Sequence, residues 1–81
     1  MKIVQTFVGG DYIITEDTQY NNAVFENVTI NKNVTTRIYG SVINDMTIHK
    51  GAVVHVYGKV LGMIFNDGGI IHFYPASKPE E

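Results

Sequence analysis

Apolar and polar residues alternate strictly along the middle of the chain. Val24, Val28, Ile30, Val34, Ile38, Val42, Met46, Ile48, Ala52, Val54, Val56 and Val60 all fall on even positions. A period of two is the mark of strands with one buried face. No helical template fits, because the i, i+3, i+4 spacing is missing and β-branched residues dominate. The even series is broken at Glu26, Lys32, Asn44 and Lys50. The interval from Lys32 to Lys50 equals that from Glu26 to Asn44. The breaks themselves recur, and they read as corners where a strand stops and the chain turns.

The same shift governs whole phrases. Thr29-Ile30-x-Lys32 returns as Thr47-Ile48-x-Lys50, and Ile38-Tyr39-Gly40-x-Val42-Ile43 returns as Val56-Tyr57-Gly58-x-Val60-Leu61. Val24 and Phe25 precede Val42 and Ile43 by the same interval, which extends the phase upstream. After Leu61 the step shortens by one: Met46 recurs as Met63, Gly51 as Gly68, and His55-Val56-Tyr57 as His72-Phe73-Tyr74. A fixed period is the sequence sign of a repeat architecture. The pattern predicts an all-β fold, a short single-stranded parallel β-helix (β-solenoid) with about 18 residues per coil and three short strands per coil. Coils stacked about 4.8 Å apart bring equivalent residues into ladders. Losing a residue inside a strand would turn its side chains over. The shortened step is therefore expected in a corner near Gly62, which keeps Phe65, Ile71 and Phe73 inside. A left-handed hexapeptide helix shares the spacing of residues 24, 30, 36, 42, 48, 54 and 60. A small β-sandwich or meander leaves the period unexplained.

Residues 1–75 form one predicted domain. Residues 1–23 make an N-terminal cap and an atypical first coil, and residues 24–75 make the regular coils. Terminal repeats are expected to depart from the pattern because they lack a neighbour on one side. Pro75 removes a ladder donor and ends the pairing. Residues 76–81 read as a disordered charged tail.

Composition narrows the function more by exclusion than by suggestion. The 81 residues carry a net charge of −2, which gives no electrostatic footprint for nucleic acid or an anionic membrane. Without cysteine there is no disulfide framework and no thiolate chemistry. No apolar run nears the ~20 residues of a membrane span, and Met1 to Thr6 turn polar too soon for a signal peptide. A cytoplasmic location is expected.

The phrases Tyr39-Gly40-Ser41-Val42 and Tyr57-Gly58-Lys59-Val60-Leu61-Gly62-Met63-Ile64 resemble the coil repeat of bactofilins. The resemblance spans Val24 to Tyr74. It implies a right-handed, three-sided β-helix that polymerises end to end into cytoskeletal filaments without nucleotide.

With even residues inside, the odd ones form outward columns. Arg37, His55 and His72 make one, Tyr39, Tyr57 and Tyr74 the next, and Thr35, Val53 and Ile70 a third. Phe25, Ile43 and Leu61 form a second apolar face elsewhere. A surface of Tyr, His, Val and Ile suits self-association or a protein partner, and such ladders also arise because stacked neighbours pack well. His55 and His72 sit close enough to invite a metal, but Arg37 shares their column and repels a cation, so no metal is expected. Ser41 and Ser77 have no histidine base at a matching position. Asn66-Asp67-Gly68-Gly69 is a turn and not a phosphate loop, lacking the lysine and the following helix. No enzyme and no cofactor are expected. Three functions follow, in order: a self-assembling structural protein and homo-oligomer, a protein-binding module such as an inhibitor or toxin-immunity protein, and a carbohydrate-binding module.

Overall fold

Short runs of β-branched and aromatic residues cannot form a sheet alone, and here each finds its partner one turn further along. The computed structural model describes residues 1–79. Ten strands follow one another: β1 (Lys2–Val4), β2 (Phe7–Val8), β3 (Tyr12–Ile14), β4 (Thr18–Phe25), β5 (Val28–Ile30), β6 (Thr35–Val42), β7 (Met46–Ile48), β8 (Val53–Val60), β9 (Ile64–Asn66) and β10 (Ile70–Tyr74). All pairs are parallel. One ladder runs β1-β4-β6-β8-β10, with β2 also on β4, and the other runs β3-β5-β7-β9. The chain is a β-solenoid of about four turns. No helix occurs among the described residues, hence none long and apolar enough to cross a membrane.

The first turn shows three separate strands. β1 and β2 pair with the two halves of β4, and β3 pairs with β5. In later turns the first two sides run together into one eight-residue strand. Where β6 and β8 bend past the turn beneath, they carry Gly40 and Gly58. A Cβ at Gly40 would collide with the carbonyl oxygen of Ala23, and one at Gly58 with that of Gly40. The long strand can lie this close to the turn beneath it only where there is no side chain.

The even-in phase holds through most of the chain. Val28, Ile30, Val34, Ile38, Val42, Met46, Ile48, Ala52, Val54 and Val56 are buried, and Val60 packs on the core half-buried. Thr36 joins them, its Oγ1 donating to the Thr18 carbonyl at 2.7 Å, so this buried hydroxyl is satisfied.

Two expectations of phase fail. The register between β4 and β6 shifts between Tyr20 and Ala23, so that Phe25 pairs with Val42 and Val24 with Ser41. The extra residue is taken up by a bulge at Asn21–Asn22. Phe25 is consequently 0% exposed, not part of an outer face with Ile43 and Leu61. Val24 loses its inward place.

The shortened step also lies elsewhere. Met46, Thr47 and Ile48 pair with Ile64, Phe65 and Asn66, which keeps the full period, and the step drops by one only where Ile70 meets Val53. The missing residue belongs to the Gly68–Gly69 corner, not to Gly62. Gly68 sits at φ 83°, and a Cβ at Gly69 would lie 2.9 Å from the His49 carbonyl oxygen. Asn66 braces the tighter corner: its Oδ1 accepts from Gly69 N at 2.8 Å and its Nδ2 donates to Gly69 O at 3.1 Å. Phe65 therefore faces outward, whereas Ile71 and Phe73 keep the inward columns of Val54 and Val56.

Candidate functional site

Parallel register stacks like upon like along β6, β8 and β10. Arg37 pairs with His55 and His55 with His72; Tyr39 pairs with Tyr57 and Tyr57 with Tyr74; Thr35, Val53 and Ile70 align beside them. The three columns expected from the sequence are thus neighbours on one face. Tyr39 and Tyr57 stack with ring centroids 4.2 Å apart, and Tyr57 and Tyr74 follow at 4.4 Å. The interplanar angles are 7° and 11°. Both faces of the Tyr57 ring are therefore covered by other tyrosines. The middle of the ladder offers a ring edge and a hydroxyl to its surroundings and no open ring face.

His55 and His72 stack at 5.1 Å, and His55 Nδ1 shares a hydrogen bond of 2.9 Å with the Tyr74 hydroxyl. Burial, then the charges of His72 and Arg37, lower the His55 pKa below the usual histidine value. Both causes favour the neutral imidazole.

Ile43 and Leu61 are exposed on a separate edge, as expected, but Phe25 is not with them. Leu61 belongs instead to a larger apolar group that the sequence reading did not assemble. Leu61 (63% exposed), Met63 (64%), Phe65, Ile70 and Phe73 (52%) all lie in the last turn. Phe73 occupies an inward column, and it is exposed because no further turn covers it among the described residues. The strands at this end, β9 and β10, carry no Asp, Glu, Lys or Arg.

The opposite end carries an aromatic plug over its interior, although Ile3, Val8 (79% exposed) and Ile13 on its flanks face outward uncovered. Phe7 lies against Tyr12, Phe25 and Tyr20 with centroids at 4.7, 4.9 and 5.7 Å, and Tyr20 meets Phe25 edge-on at 5.2 Å. Burial and the neighbouring Tyr12 push the Tyr20 phenol up to about 12. Lys2 and Glu16 form an ion pair of 3.4 Å on the rim.

A cleft of about 830 Å³ borders the tyrosine ladder, walled on one side by the solenoid and on the other by Ala76 to Pro79. These four residues form no strand, and they pass the body close to Tyr39 and Tyr57. Glu80 and Glu81, the rest of the expected disordered tail, lie outside the described residues. Neither the cleft nor its residues Asn21, Asn22 and Lys59 stood out in the sequence. The Asn21-Asn22 pair in a strand was the one available signal, since such residues favour irregular backbone.

Comparison with protein-family models, with curated proteins and with solved structures finds no match to this chain. The likeness to bactofilins rests on the repeat phrases alone.

Proposed function

We propose that this chain is a structural, self-associating β-solenoid of the cytoplasm, and that its open C-terminal end binds the same end of a second copy. The observation that carries this reading is the last turn. Its inward Phe73 is half uncovered, its rim adds Leu61, Met63, Phe65 and Ile70, and its edge strands carry no formal charge. Unpaired edges of this sort invite another strand unless charge or a cap blunts them. At the N-terminal end the inward positions are plugged by Phe7, and the Lys2–Glu16 pair lies on the rim. The apolar residues left exposed there, Ile3, Val8 and Ile13, lie on its flanks and not over its interior.

Pairing of like ends is favoured over head-to-tail growth by the lengths of the turns. In the first turn Lys2 pairs with Thr18, Phe7 with Ala23 and Tyr12 with Val28, a step two shorter than that from Thr36 to Val54. The last turn keeps the full step at Met46–Ile64 and loses only one at Val53–Ile70, so its sides and those of the first turn do not match. A second C-terminal end matches by symmetry, and an isologous contact closes at two copies. The resemblance to bactofilins supports self-association, while the mismatch of the ends favours a closed pair over a filament.

Sedimentation equilibrium across a concentration series tests this. The wild type is expected to reach a dimer, and Phe73→Asp and Met63→Asp are expected to be monomers with unchanged β-sheet circular dichroism. Tyr57→Ala, on the side of the solenoid, should remain dimeric. A wild type that stays monomeric at every concentration would sink the proposal, as would a dimer indifferent to both aspartates. A second reading, capture of a different protein such as a toxin, is favoured by the rigid Tyr39-Tyr57-Tyr74 and Arg37-His55-His72 face, since tyrosine and arginine are enriched at interface hot spots. Tyr57→Ala would abolish that binding and leave the dimer intact.

A further inference from the structure

The cleft beside the tyrosine ladder has the chemistry of a ligand site. Its volume of about 830 Å³ lies within the roughly 300–1,000 Å³ typical of small-molecule sites. Lys59 enters it from the solenoid and Lys78 from the C-terminal segment. Neither lysine forms an ion pair among the described residues, and no carboxylate lines the cleft among them. Two ammonium groups facing one space, with no carboxylate among its described lining residues, favour an anionic occupant.

The floor adds hydroxyl-reading groups. The bulge in β4 turns Asn21 and Asn22 toward the cleft, next to Ser41. Asn21 is fixed before any ligand arrives: Gln19 Nε2 donates to its Oδ1 at 2.8 Å, and its Nδ2 donates to Gln5 Oε1 at 3.1 Å. Side-chain amides both donate and accept, which is what the vicinal hydroxyls of a sugar require.

Other anionic occupants fit less well. A nucleotide base stacks on open aromatic faces, and of the two tyrosines lining the cleft Tyr57 has both faces taken and Tyr39 has one against Tyr57. A peptide that binds by adding to a sheet edge finds none in this wall, because the backbone of β6 is already paired with β4 and β8. What remains on offer is amides, hydroxyls and two cations. We infer that the cleft between the Asn21–Asn22 bulge, Tyr57 and Lys59 binds an acidic oligosaccharide, with Lys59 and Lys78 pairing its carboxylates and Asn21, Asn22 and Ser41 its hydroxyls. This site is separate from the C-terminal end and stands or falls independently of self-association.

The test is titration of the full chain with tetragalacturonate, followed by amide chemical shifts and calorimetry. The neutral tetrasaccharide maltotetraose and the peptide tetraglutamate serve as comparison ligands. Saturable binding of the galacturonate, with shifts gathered at Asn22, Ser41 and Lys59, is the expected result. Lys59→Gln should weaken it about tenfold, the scale of one charge-assisted hydrogen bond. Asn22→Ala should weaken it less, and Lys32→Gln, at a distant corner, should leave it unchanged. Because Lys59 and Asn22 are exposed, these variants are expected to fold. No saturable binding would overturn the inference. So would tetraglutamate binding as tightly as the galacturonate, which would reduce the cleft to a patch of charge. Maltotetraose binding as tightly would remove the role assigned to the lysines.

Discussion

The two ends of this solenoid are built from similar residues and come out opposite. At the N-terminal end, Phe7 and Tyr12 lie against Phe25, and Phe25 and Tyr20 beneath are buried although Tyr12 itself stays 40% exposed. At the C-terminal end Phe73 sits in the same kind of inward column and is 52% exposed. The difference lies in turn length and not in composition. The shorter first turn, which brings Lys2 onto Thr18 and Tyr12 onto Val28, is tight enough to lay Phe7 over the core. The last turn keeps nearly the full circumference and leaves its interior open. A β-solenoid must therefore solve its two ends separately. A cap made by shortening the chain needs no extra domain.

The comparison can be broken most forcefully at Phe25. Removing this fully buried ring by Phe25→Ala should cost about 3–5 kcal/mol in urea unfolding, a large fraction of the stability of a small domain. Phe73→Ala, at the open end, should cost only about 1 kcal/mol when measured at concentrations too low for association. If the two substitutions destabilise equally, the ends do not differ as described. Between the ends, a double-mutant cycle of Tyr57→Ala and Tyr74→Ala should give a coupling of about 0.5–1.5 kcal/mol, the worth of a stacked aromatic pair beyond its area.

The smallest effect is one of pH. His55 has its pKa lowered by burial and by the charges of His72 and Arg37. Below the unfolded value of about 6.5 the unfolded chain takes up a proton that the folded chain resists. Stability is then complete above that pH and falls as pH drops toward the folded pKa. His55→Gln should flatten this part of the unfolding profile between neutral and mildly acidic pH. An unchanged slope would remove His55 as its source.

Most of the interior was legible in the sequence, because alternation with a recurring break fixes both the strand faces and the coil. The columns of Arg37, Tyr39 and Val53 with their successors followed from the same arithmetic, and parallel pairing preserved them. The reading failed where one residue was gained or lost. Val24 and Phe25 matched Val42 and Ile43 in kind, so nothing in their chemistry revealed the bulge at Asn21–Asn22 that moves Phe25 inside. The identity of Met46 and Met63 suggested a slip before Met63, when the slip comes later, at paired glycines that permit a sharper corner. The cleft was invisible for a different reason. It joins Gln5, Asn21, Lys59 and Lys78, which no single period relates.

Each rung is laid on the one formed a single turn earlier, and no described strand pairs with a more distant part of the chain. During synthesis a turn can settle as soon as its own length of polypeptide has emerged, using the finished turn as its template. The reverse also holds under load. A pull on the C-terminus would meet one strand at a time and peel the molecule like tape, with the aromatic plug at the far end the last to give way.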